Sequence, residues 1–237
     1  MLTDEGDPVA QCGEPRSLPA GAPSSAGASR GQGSIPATAL PSSPAGDARR
    51  VGHNGGMSVP PNRPTPPFRV LMVCTGNICR STMAQEVLDE DAAAAGLDVQ
   101  VDSAGISDEE RGNPIDPRAA RVLRDAGRQV PDHRARRVRA DELGEWDLVL
   151  AMTRSHRDRL ERVAARAGVE IRADAAPGAP DTVDIRMFRD FDPSLTPQED
   201  PDVPDPWYGG PSDFVDTLRV IERVTPAIVG HIEGLVR

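Results

Sequence analysis

The chain has 237 residues, with 27 basic residues against 37 acidic ones and a formal net charge of −10. Residues 1–67 carry five arginines and five acidic residues, so the whole negative charge lies in residues 68–237. That charge argues against a general nucleic-acid binder, which needs a net basic face. No apolar run approaches the roughly 20 residues of a membrane span, and three cysteines give no disulfide framework.

Residues 1–67 have the composition of a disordered tail. They contain 12 of the 24 prolines and 10 of the 22 glycines, and the first aromatic residue of the chain is Phe68. Such a segment buries too little apolar surface to offset its conformational entropy. Met57 offers an alternative start, so residues 1–56 are open to two interpretations: a genuine disordered extension, or a stretch that is not made. Residues 68–237 are long enough for one domain with a hydrophobic core.

The rest of the chain alternates strand and helix patterns. Apolar runs and alternating patterns predict strands at 69–74, 97–105, 146–152 and 183–188. Helical periodicity and capping residues predict helices at 81–95, 116–127, 153–167 and 212–236. This alternation predicts an α/β domain with a parallel sheet and helices on both faces. Because ligands of such sheets bind beyond the carboxyl ends of the strands, the turn after the first strand is the first place to examine.

That turn has the composition of an anion-binding loop. In VLMVCTGNICRST (70–82), Cys74 ends a buried strand and a helix begins six or seven residues later. Gly76 and Asn77 tolerate a positive φ, which lets successive backbone N–H groups point inward as a nest. The predicted phosphate-binding residues are Thr75, Gly76, Asn77, Ile78, Cys79, Arg80 and Ser81.

The same turn carries a candidate nucleophile. The nest, the helix dipole and Arg80 should stabilise the thiolate of Cys74, which predicts a nucleophile at neutral pH. The planar guanidinium of Arg80 matches two oxygens of a phosphoryl group. Ser81 could donate to the thiolate and ease its departure. The alternative is an ordinary buried strand cysteine beside a surface arginine.

A thiolate that attacks an aryl phosphate also needs an acid for the leaving oxygen. Asp205, in VPDPWYGG (203–210), is the candidate. Trp207 and Tyr208 place aromatic walls next to its carboxylate. A lone Asp-Pro pair would indicate only a solvated loop, but two aromatic residues and two glycines after it make the motif more specific.

Five segments together resemble the low-molecular-weight protein tyrosine phosphatase family. They are VCTGNICRS (73–81), VDSAG (101–105), DPRA (116–119), DHRAR (132–136) and DPWYGG (205–210), in the family's order and spacing. The resemblance covers about residues 68–237. It implies a phosphatase I-like fold, with a four-stranded parallel sheet flanked by helices, and it implies no metal and no cofactor.

The resemblance also assigns roles. It implies that Cys74 forms a phosphocysteine intermediate, that Arg80 binds phosphate and the transition state, and that Asp205 is general acid and then general base. It implies a hydrogen-bond network that holds the loop in its strained shape. The members of that network are Asn77, Ser81, Ser103 and His133, the last of which would otherwise be a surface residue in an arginine-rich stretch.

Three positions deserve comment beside the family's pattern. Thr82 stands where proline is usual, and since either suits a helix start we expect little effect. Glu109 stands where an aromatic residue usually walls the cleft, and an acidic rim there would change which peptides bind. Cys79 could close a reversible disulfide with Cys74 or simply pack under the loop, and both interpretations stay open. The predicted substrate cleft consists of Ile78, Glu109, Trp207 and Tyr208.

The leading functional hypothesis is a phosphotyrosine-protein phosphatase. A protein-arginine phosphatase on the same scaffold is the alternative, although the apolar Ile78 suits an aryl ring better than a guanidinium. Arsenate reduction is disfavoured because no cysteine follows Cys79 to relay electrons. From a different class, a silent phosphate-binding module would most naturally lack Cys74, Arg80 or Asp205, yet all three are present.

The expected partners are tyrosine-phosphorylated proteins, with a cognate tyrosine kinase as a further candidate and neither nucleic acid nor membrane. The acidic start MLTDEGDPVA lacks an apolar segment typical of a secretory signal. We therefore expect a monomer in a reducing cytoplasm. All 27 basic residues are arginine, which together with the excess of alanine, glycine and proline favours an origin in GC-rich bacterial DNA.

Overall fold

A computed structural model describes residues 66–237 of the chain. The predicted tail at 1–67 and the alternative start at Met57 lie outside the described residues, apart from Pro66 and Pro67. Two short 3-10 helices occur, at Ala140–Glu145 and Phe188–Phe191. The strands and helices are β1 (Phe68–Cys74), α1 (Arg80–Ala94), β2 (Val99–Gly105), α2 (Pro117–Asp125), β3 (Leu148–Ala151), α3 (Arg154–Ala167), β4 (Glu170–Ile171), β5 (Thr182–Met187) and α4 (Pro211–Val236).

The strands form one parallel sheet in the order β2-β1-β3-β5-β4. The prediction of an α/β domain with a parallel sheet is confirmed, but the count of four strands is wrong, because the sheet has five. The additional strand, β4, consists of two exposed residues that pair with Thr182 and Val183 at the edge of the sheet. Two exposed residues produce neither an apolar run nor an alternating pattern, so the sequence gives no sign of this strand.

Helices cover both faces of the sheet, as predicted. Along β1, Val70 and Met72 join a cluster with α1, α2 and α4, whereas Leu71 and Val73 join a second cluster with α3. This division follows from the alternation of side chains along a strand. A strand that is buried on both faces reads as the continuous apolar run seen in the sequence.

The helix ends follow the local chemistry of the chain. Asp116 caps α2 by accepting a hydrogen bond from the backbone N–H of Arg118 at 2.7 Å, and Pro117 occupies the first helical position. Helix α3 ends at Gly168, whose φ of +75° is the left-handed conformation that glycine adopts most easily. Within residues 66–237, no helix combines the length and apolar character that crossing a bilayer requires.

The strand order places the turn after β1 where successive connections run to opposite sides of the sheet. From β1 the chain passes to β2 on one side of the sheet, and it later returns to β3 on the other side. The connections that leave the carboxyl ends of β1 and β3 therefore diverge and leave a crevice between them. The segment that follows β1 lies at this crevice.

Candidate active site

Residues 74–81, which we call the phosphate loop, connect β1 to α1 in a tight turn. Asn77 adopts a φ of +60°, which side chains other than glycine rarely take. Gly105 at the end of β2 lies so close that a Cβ there would meet the backbone oxygen of Thr75 at 2.5 Å. The next residue, Ile106, donates its N–H to the carbonyl of Cys74 at 2.9 Å. The end of β2 therefore holds the loop from one side.

Several backbone N–H groups of the loop are free to bind an anion. Those of Gly76, Ile78 and Cys79 donate to no acceptor among residues 66–237. Helix α1 begins directly behind them at Arg80, so its positive dipole end lies at the same place. A turn of free N–H groups against a helix N-terminus is a phosphate-binding arrangement.

The sulfur of Cys74 is buried and surrounded by donors. The backbone N–H of Asn77 donates to it at 3.3 Å, and the hydroxyl oxygen of Ser81 lies 3.0 Å away. That hydroxyl already accepts a hydrogen bond from Nδ2 of Asn77 at 3.1 Å, which directs its own hydrogen to the sulfur. Two donors of the loop therefore point at the sulfur.

Asn77 is the centre of the network that holds the loop. Its Nδ2 donates to the hydroxyl of Ser103 at 2.9 Å, and its Oδ1 accepts from the backbone N–H of Arg136 at 2.9 Å. Its backbone carbonyl accepts from Nε2 of His133 at 2.5 Å. The structure thus brings Asn77, Ser81, Ser103 and His133 together in one set of hydrogen bonds. Arg136 was missed, although it belongs to the DHRAR segment.

Thr82 takes part in this network as well, and the expectation that it has little effect in place of proline stays a prediction. Its side chain is fully buried, and its hydroxyl donates to the carbonyl of Asn77 at 3.2 Å. Proline at this position would offer no such donor.

Burial lowers the pKa of His133 below its usual value, so the ring is neutral and its Nε2 carries the proton given to Asn77.

His156 supports the loop from the other side, and the sequence analysis did not find it. It lies in the first turn of α3, beyond the carboxyl end of β3, and its Nε2 is 2.9 Å from the hydroxyl of Thr75. Burial and the neighbouring Arg80 lower the pKa of His156 to about 4, so the ring is neutral at physiological pH. His156 follows β3 at the same edge of the sheet at which β1 ends, and this position was the only feature of the sequence that could have indicated its role.

Arg80 and Asp205 face each other across the cleft. Nη2 of Arg80 donates to Oδ2 of Asp205 at 2.5 Å, and Nη1 donates to the carbonyl of Val203 at 3.4 Å. The Nε–H of Arg80 is buried and has no acceptor among residues 66–237. The guanidinium therefore keeps a free donor for a phosphoryl oxygen.

The loop that carries Asp205, residues 203–210, is tied to the domain by Arg118. Nη1 of Arg118 donates to the carbonyls of Trp207 and Gly209 at 3.3 and 3.4 Å. Its guanidinium also lies 4.5 Å from the ring centroid of Phe214 on α4. We call residues 203–210 the acid loop. The DPRA segment suggested only the start of a helix, so this contact was missed.

Asp116 links Arg118 to the phosphate loop. Its carboxylate accepts from Nη2 of Arg118 at 3.0 Å, and its backbone N–H donates to the carbonyl of Ile78 at 2.9 Å. Burial alone would raise the pKa of Asp116, but the hydrogen bonds from Arg118 outweigh it and leave the pKa below its usual value. An ionised Asp116 therefore connects the two loops through one arginine.

A cavity of about 200 Å3 opens between the two loops. Glu110 also lines it, half-buried and accepting from the side-chain amide of Asn113 at 2.7 Å, and sequence reasoning named only its neighbour Glu109. Trp207 is 39% exposed and Tyr208 is 93% exposed, so these rings form the outer rim. The cavity is lined by Cys74, Thr75, Gly76, Ile78, Cys79, Arg80, Glu109, Glu110, Asp205, Trp207 and Tyr208.

Cys79 is a second free thiol in this cavity. It is buried, and burial together with the nearby Asp116 raises its pKa well above the usual range of a thiol. Cys79 therefore stays protonated beside the hydrogen-bonded sulfur of Cys74. A regulatory disulfide between the two cysteines remains a prediction.

One cluster of possible metal ligands lies elsewhere in the domain. Ligand atoms of Asp174, Asp184 and His231 lie within 4.8 Å of one another. Arg186 donates to Asp174 at 2.5 Å and to Asp184 at 2.9 Å. The guanidinium already bonds both carboxylates and offsets one of their two charges, so this cluster is a structural ion-pair network.

Comparison with known proteins agrees with this site. A Streptomyces coelicolor protein named low molecular weight protein-tyrosine-phosphatase is 36% identical over 167 residues, 70% of this chain and 93% of that protein. The crystal structure of YfkJ from Bacillus subtilis is similar, with a TM-score of 0.61 and 26% identity, over 74% of this chain and 100% of that one.

A Drosophila arginine phosphatase of known crystal structure is similar at a TM-score of 0.59 and 26% identity, over 70% of this chain and 98% of that one. The model of the family described as low molecular weight phosphotyrosine protein phosphatase matches residues 69–234, which include both loops and every residue of the network around Asn77. The chain belongs to this family.

Proposed function

We propose that this protein hydrolyses phosphotyrosine in proteins through a phosphocysteine intermediate. The observation that carries the proposal is the convergence of three groups on one cavity: the donor-surrounded sulfur of Cys74, the guanidinium of Arg80 and the carboxyl of Asp205. A nucleophile, an anion binder and an acid are the three parts that displacement at phosphorus requires.

In the first step the phosphoryl oxygens replace Asp205 as acceptors of the Arg80 guanidinium, which frees the carboxyl for the leaving group. The thiolate of Cys74 attacks phosphorus, and the bond between phosphorus and the tyrosyl oxygen breaks. Asp205, released from Arg80, takes up a proton from solvent and gives it to that oxygen, so tyrosine leaves as a neutral phenol. The free N–H groups of the phosphate loop hold the equatorial oxygens during the transfer.

In the second step water releases the phosphoryl group. The carboxylate of Asp205 takes a proton from water while the water oxygen attacks phosphorus. The bond between sulfur and phosphorus breaks, and inorganic phosphate leaves. The hydroxyl of Ser81, 3.0 Å from the sulfur, stabilises the departing thiolate.

The cavity wall favours an aryl ring. Ile78 presents a branched apolar side chain to the cavity, and Trp207 adds an aromatic surface at its rim. A guanidinium placed against Ile78 would leave polar N–H groups unpaired, which costs about 1–3 kcal/mol per group.

A specific observation supports hydrolysis of phosphoarginine as the second candidate function. The side chains of Glu109 and Glu110 line the same cavity, and their carboxylates could accept the N–H groups of a guanidinium. One of the similar solved structures is an arginine phosphatase. The two candidates thus depend on opposite parts of one wall, the apolar Ile78 and the acidic pair.

The test is a side-by-side assay of purified protein on two peptides that differ only in phosphotyrosine or phosphoarginine. We expect phosphotyrosine to give the larger kcat/KM by at least about tenfold, because a missing hydrogen-bond partner is worth that much. Ile78→Thr should shift the ratio toward phosphoarginine, and Glu110→Gln is the matched control for the acidic wall. Faster hydrolysis of phosphoarginine by the wild type would overturn the choice of substrate. No turnover of either would support a silent phosphate-binding module.

The expected surroundings complete the proposal. A nucleophilic Cys74 and a free Cys79 must both stay reduced, which is consistent with the cytoplasm. The proposed partners are tyrosine-phosphorylated proteins, and a cognate tyrosine kinase would supply them. We propose that the protein acts as a monomer, because the groups that the reaction needs all come from one chain.

A further inference from the structure

We propose that a second pocket, lined by arginines, docks an acidic segment of the phosphoprotein substrate while its phosphotyrosine occupies the catalytic cavity. This inference rests on the proposed function. The pocket has a volume of about 410 Å3 and lies between the segment after β2, the segment before the first 3-10 helix, and α3. Four guanidiniums, those of Arg111, Arg137, Arg139 and Arg166, line what we call the arginine pocket.

The charges in the arginine pocket do not cancel. Asp108 accepts from both Arg111, at 3.0 Å, and Arg137, at 3.3 Å. Arg139 pairs with Asp141 at 2.6 Å. Arg166 has no acidic partner within residues 66–237. Four guanidiniums against two carboxylates leave the pocket with a positive charge.

Helix α3 extends this positive surface. Arg159, Arg162 and Arg166 follow one another at spacings of three and four, so they share a face of the helix. All three are exposed, and no acidic side chain in the described part of the chain pairs with them. Residues 68–237 carry 22 arginines against 32 acidic residues, so this face opposes the charge of the domain around it. A local field of opposite sign attracts an anionic segment and orients it on approach.

The position of the arginine pocket favours a substrate protein as its occupant. The loop at residues 106–112 separates it from the catalytic cavity: Asp108 and Arg111 line the pocket, whereas Glu109 and Glu110 line the cavity. A chain with its phosphotyrosine in the cavity needs to pass only over this loop. The two glutamates repel acidic residues directly beside the phosphotyrosine, so an acidic segment is directed to the arginines a few residues away.

The test uses phosphotyrosine peptides that carry a tract of four glutamates or four glutamines, joined by a short Gly-Ser spacer on either side. In the wild type, the better of the two glutamate peptides should have a KM about tenfold lower than its glutamine counterpart, at unchanged kcat. That ratio corresponds to about 1.4 kcal/mol, the sum of a few exposed ion pairs. The preference should fall as salt rises.

The double variant Arg137→Gln, Arg166→Gln should lose the preference while keeping its activity on a small aryl phosphate. The matched control is Arg121→Gln, Arg219→Gln, which removes two other exposed arginines from α2 and α4. Absence of activity on the small ester in the wild type would instead point to a failure of the proposed function.

Three outcomes would overturn the docking site. Glutamate and glutamine peptides could behave alike in the wild type, or the double variant could keep the preference. Alternatively, a short DNA duplex could compete with the peptide more strongly than a free glutamate tract does, which would assign the pocket to nucleic acid.

Discussion

The two loops that form the catalytic cavity are held in opposite ways. In the phosphate loop, Asn77 and Ser81 are fully buried, and hydrogen bonds reach the loop from β2, from the segment before the first 3-10 helix, and from α3. In the acid loop the carboxylate of Asp205 is 42% exposed and Tyr208 is 93% exposed. Beyond Val203 and Pro204, the ties of the acid loop to the domain run largely through the side chains of Arg80 and Arg118.

This difference matches a division of labour. Free N–H groups that bind a phosphoryl transition state must be fixed in advance, because reorganisation during the reaction would cost free energy. An acid that first contacts Arg80 and then protonates a leaving oxygen needs room to turn. The buried network therefore serves bond formation at phosphorus, and the exposed loop serves proton transfer.

The largest effect should come from the nucleophile in the fixed loop. Cys74→Ser replaces the sulfur with a hydroxyl that remains protonated, so turnover should fall to background. Binding of inorganic phosphate, measured by calorimetry, should persist because the N–H groups and Arg80 remain. Normal turnover by this variant would show that the chemistry proceeds without the sulfur.

The hydrogen-bond network around Asn77 should contribute far more to the free energy of unfolding than the acid loop does. Asn77→Ala removes hydrogen bonds to two hydroxyls and one backbone N–H, and it places alanine at a positive φ. We expect the free energy of unfolding in urea to fall by about 2–4 kcal/mol. Tyr208→Ala, its counterpart in the acid loop, should change it by less than about 0.5 kcal/mol. Similar losses from both would remove the contrast between the loops.

The buried imidazole of His156, beside Thr75, should make the stability of the phosphate loop depend on pH. The pKa of His156 is about 4 in the fold, below its ordinary value of 6.5, so the folded state favours the neutral ring. Its contribution to stability is full above pH 6.5 and is lost as the pH falls toward 4. Between pH 7 and pH 5 this loss is on the order of 2 kcal/mol. His156→Gln, which keeps an amide near the Nε2 position, should flatten this part of the curve of unfolding free energy against pH. An unchanged slope would exclude His156 as its source.

The smallest effect concerns the tie between the loops. Arg118→Gln removes the bonds to the carbonyls of Trp207 and Gly209, so Asp205 should be less well positioned. We expect kcat/KM to fall roughly tenfold on a phenolic ester, the equivalent of one charge-assisted hydrogen bond, with little change for an ester whose leaving group needs no proton. An equal loss on both esters would indicate a general structural role for Arg118.

The contrast between the loops also explains what the sequence could predict. Cys74, Asn77 and Arg80 are close together in the chain, and their spacing after a buried strand predicts an anion site without further information. The five segments of the family resemblance located Ser103, His133 and Asp205. The structure places Ser103 and His133 in the hydrogen-bond network around Asn77 and Asp205 in the lining of the cavity. The alternating order of elements was sufficient for the parallel sheet.

The residues that were missed act through contacts between distant segments. His156 lies 81 positions after Thr75, and Arg118 lies 89 positions before Trp207, so no local pattern indicates either contact. Thr82 is local, but its hydroxyl gains meaning only because the strained turn brings the carbonyl of Asn77 to it. The fifth strand has too few residues to carry a periodic pattern.

The most direct test of this division of labour is the dependence of rate on the leaving group. A series of aryl phosphates with phenols of increasing acidity should be compared between the wild type and Asp205→Ala. The variant should lose about 10²–10⁴ in kcat/KM on the least acidic phenols, the usual range for general acid catalysis, and much less on the most acidic nitrophenols. An equal loss across the series would contradict the account, because it would mean that Asp205 supports the fold of the cavity and transfers no proton.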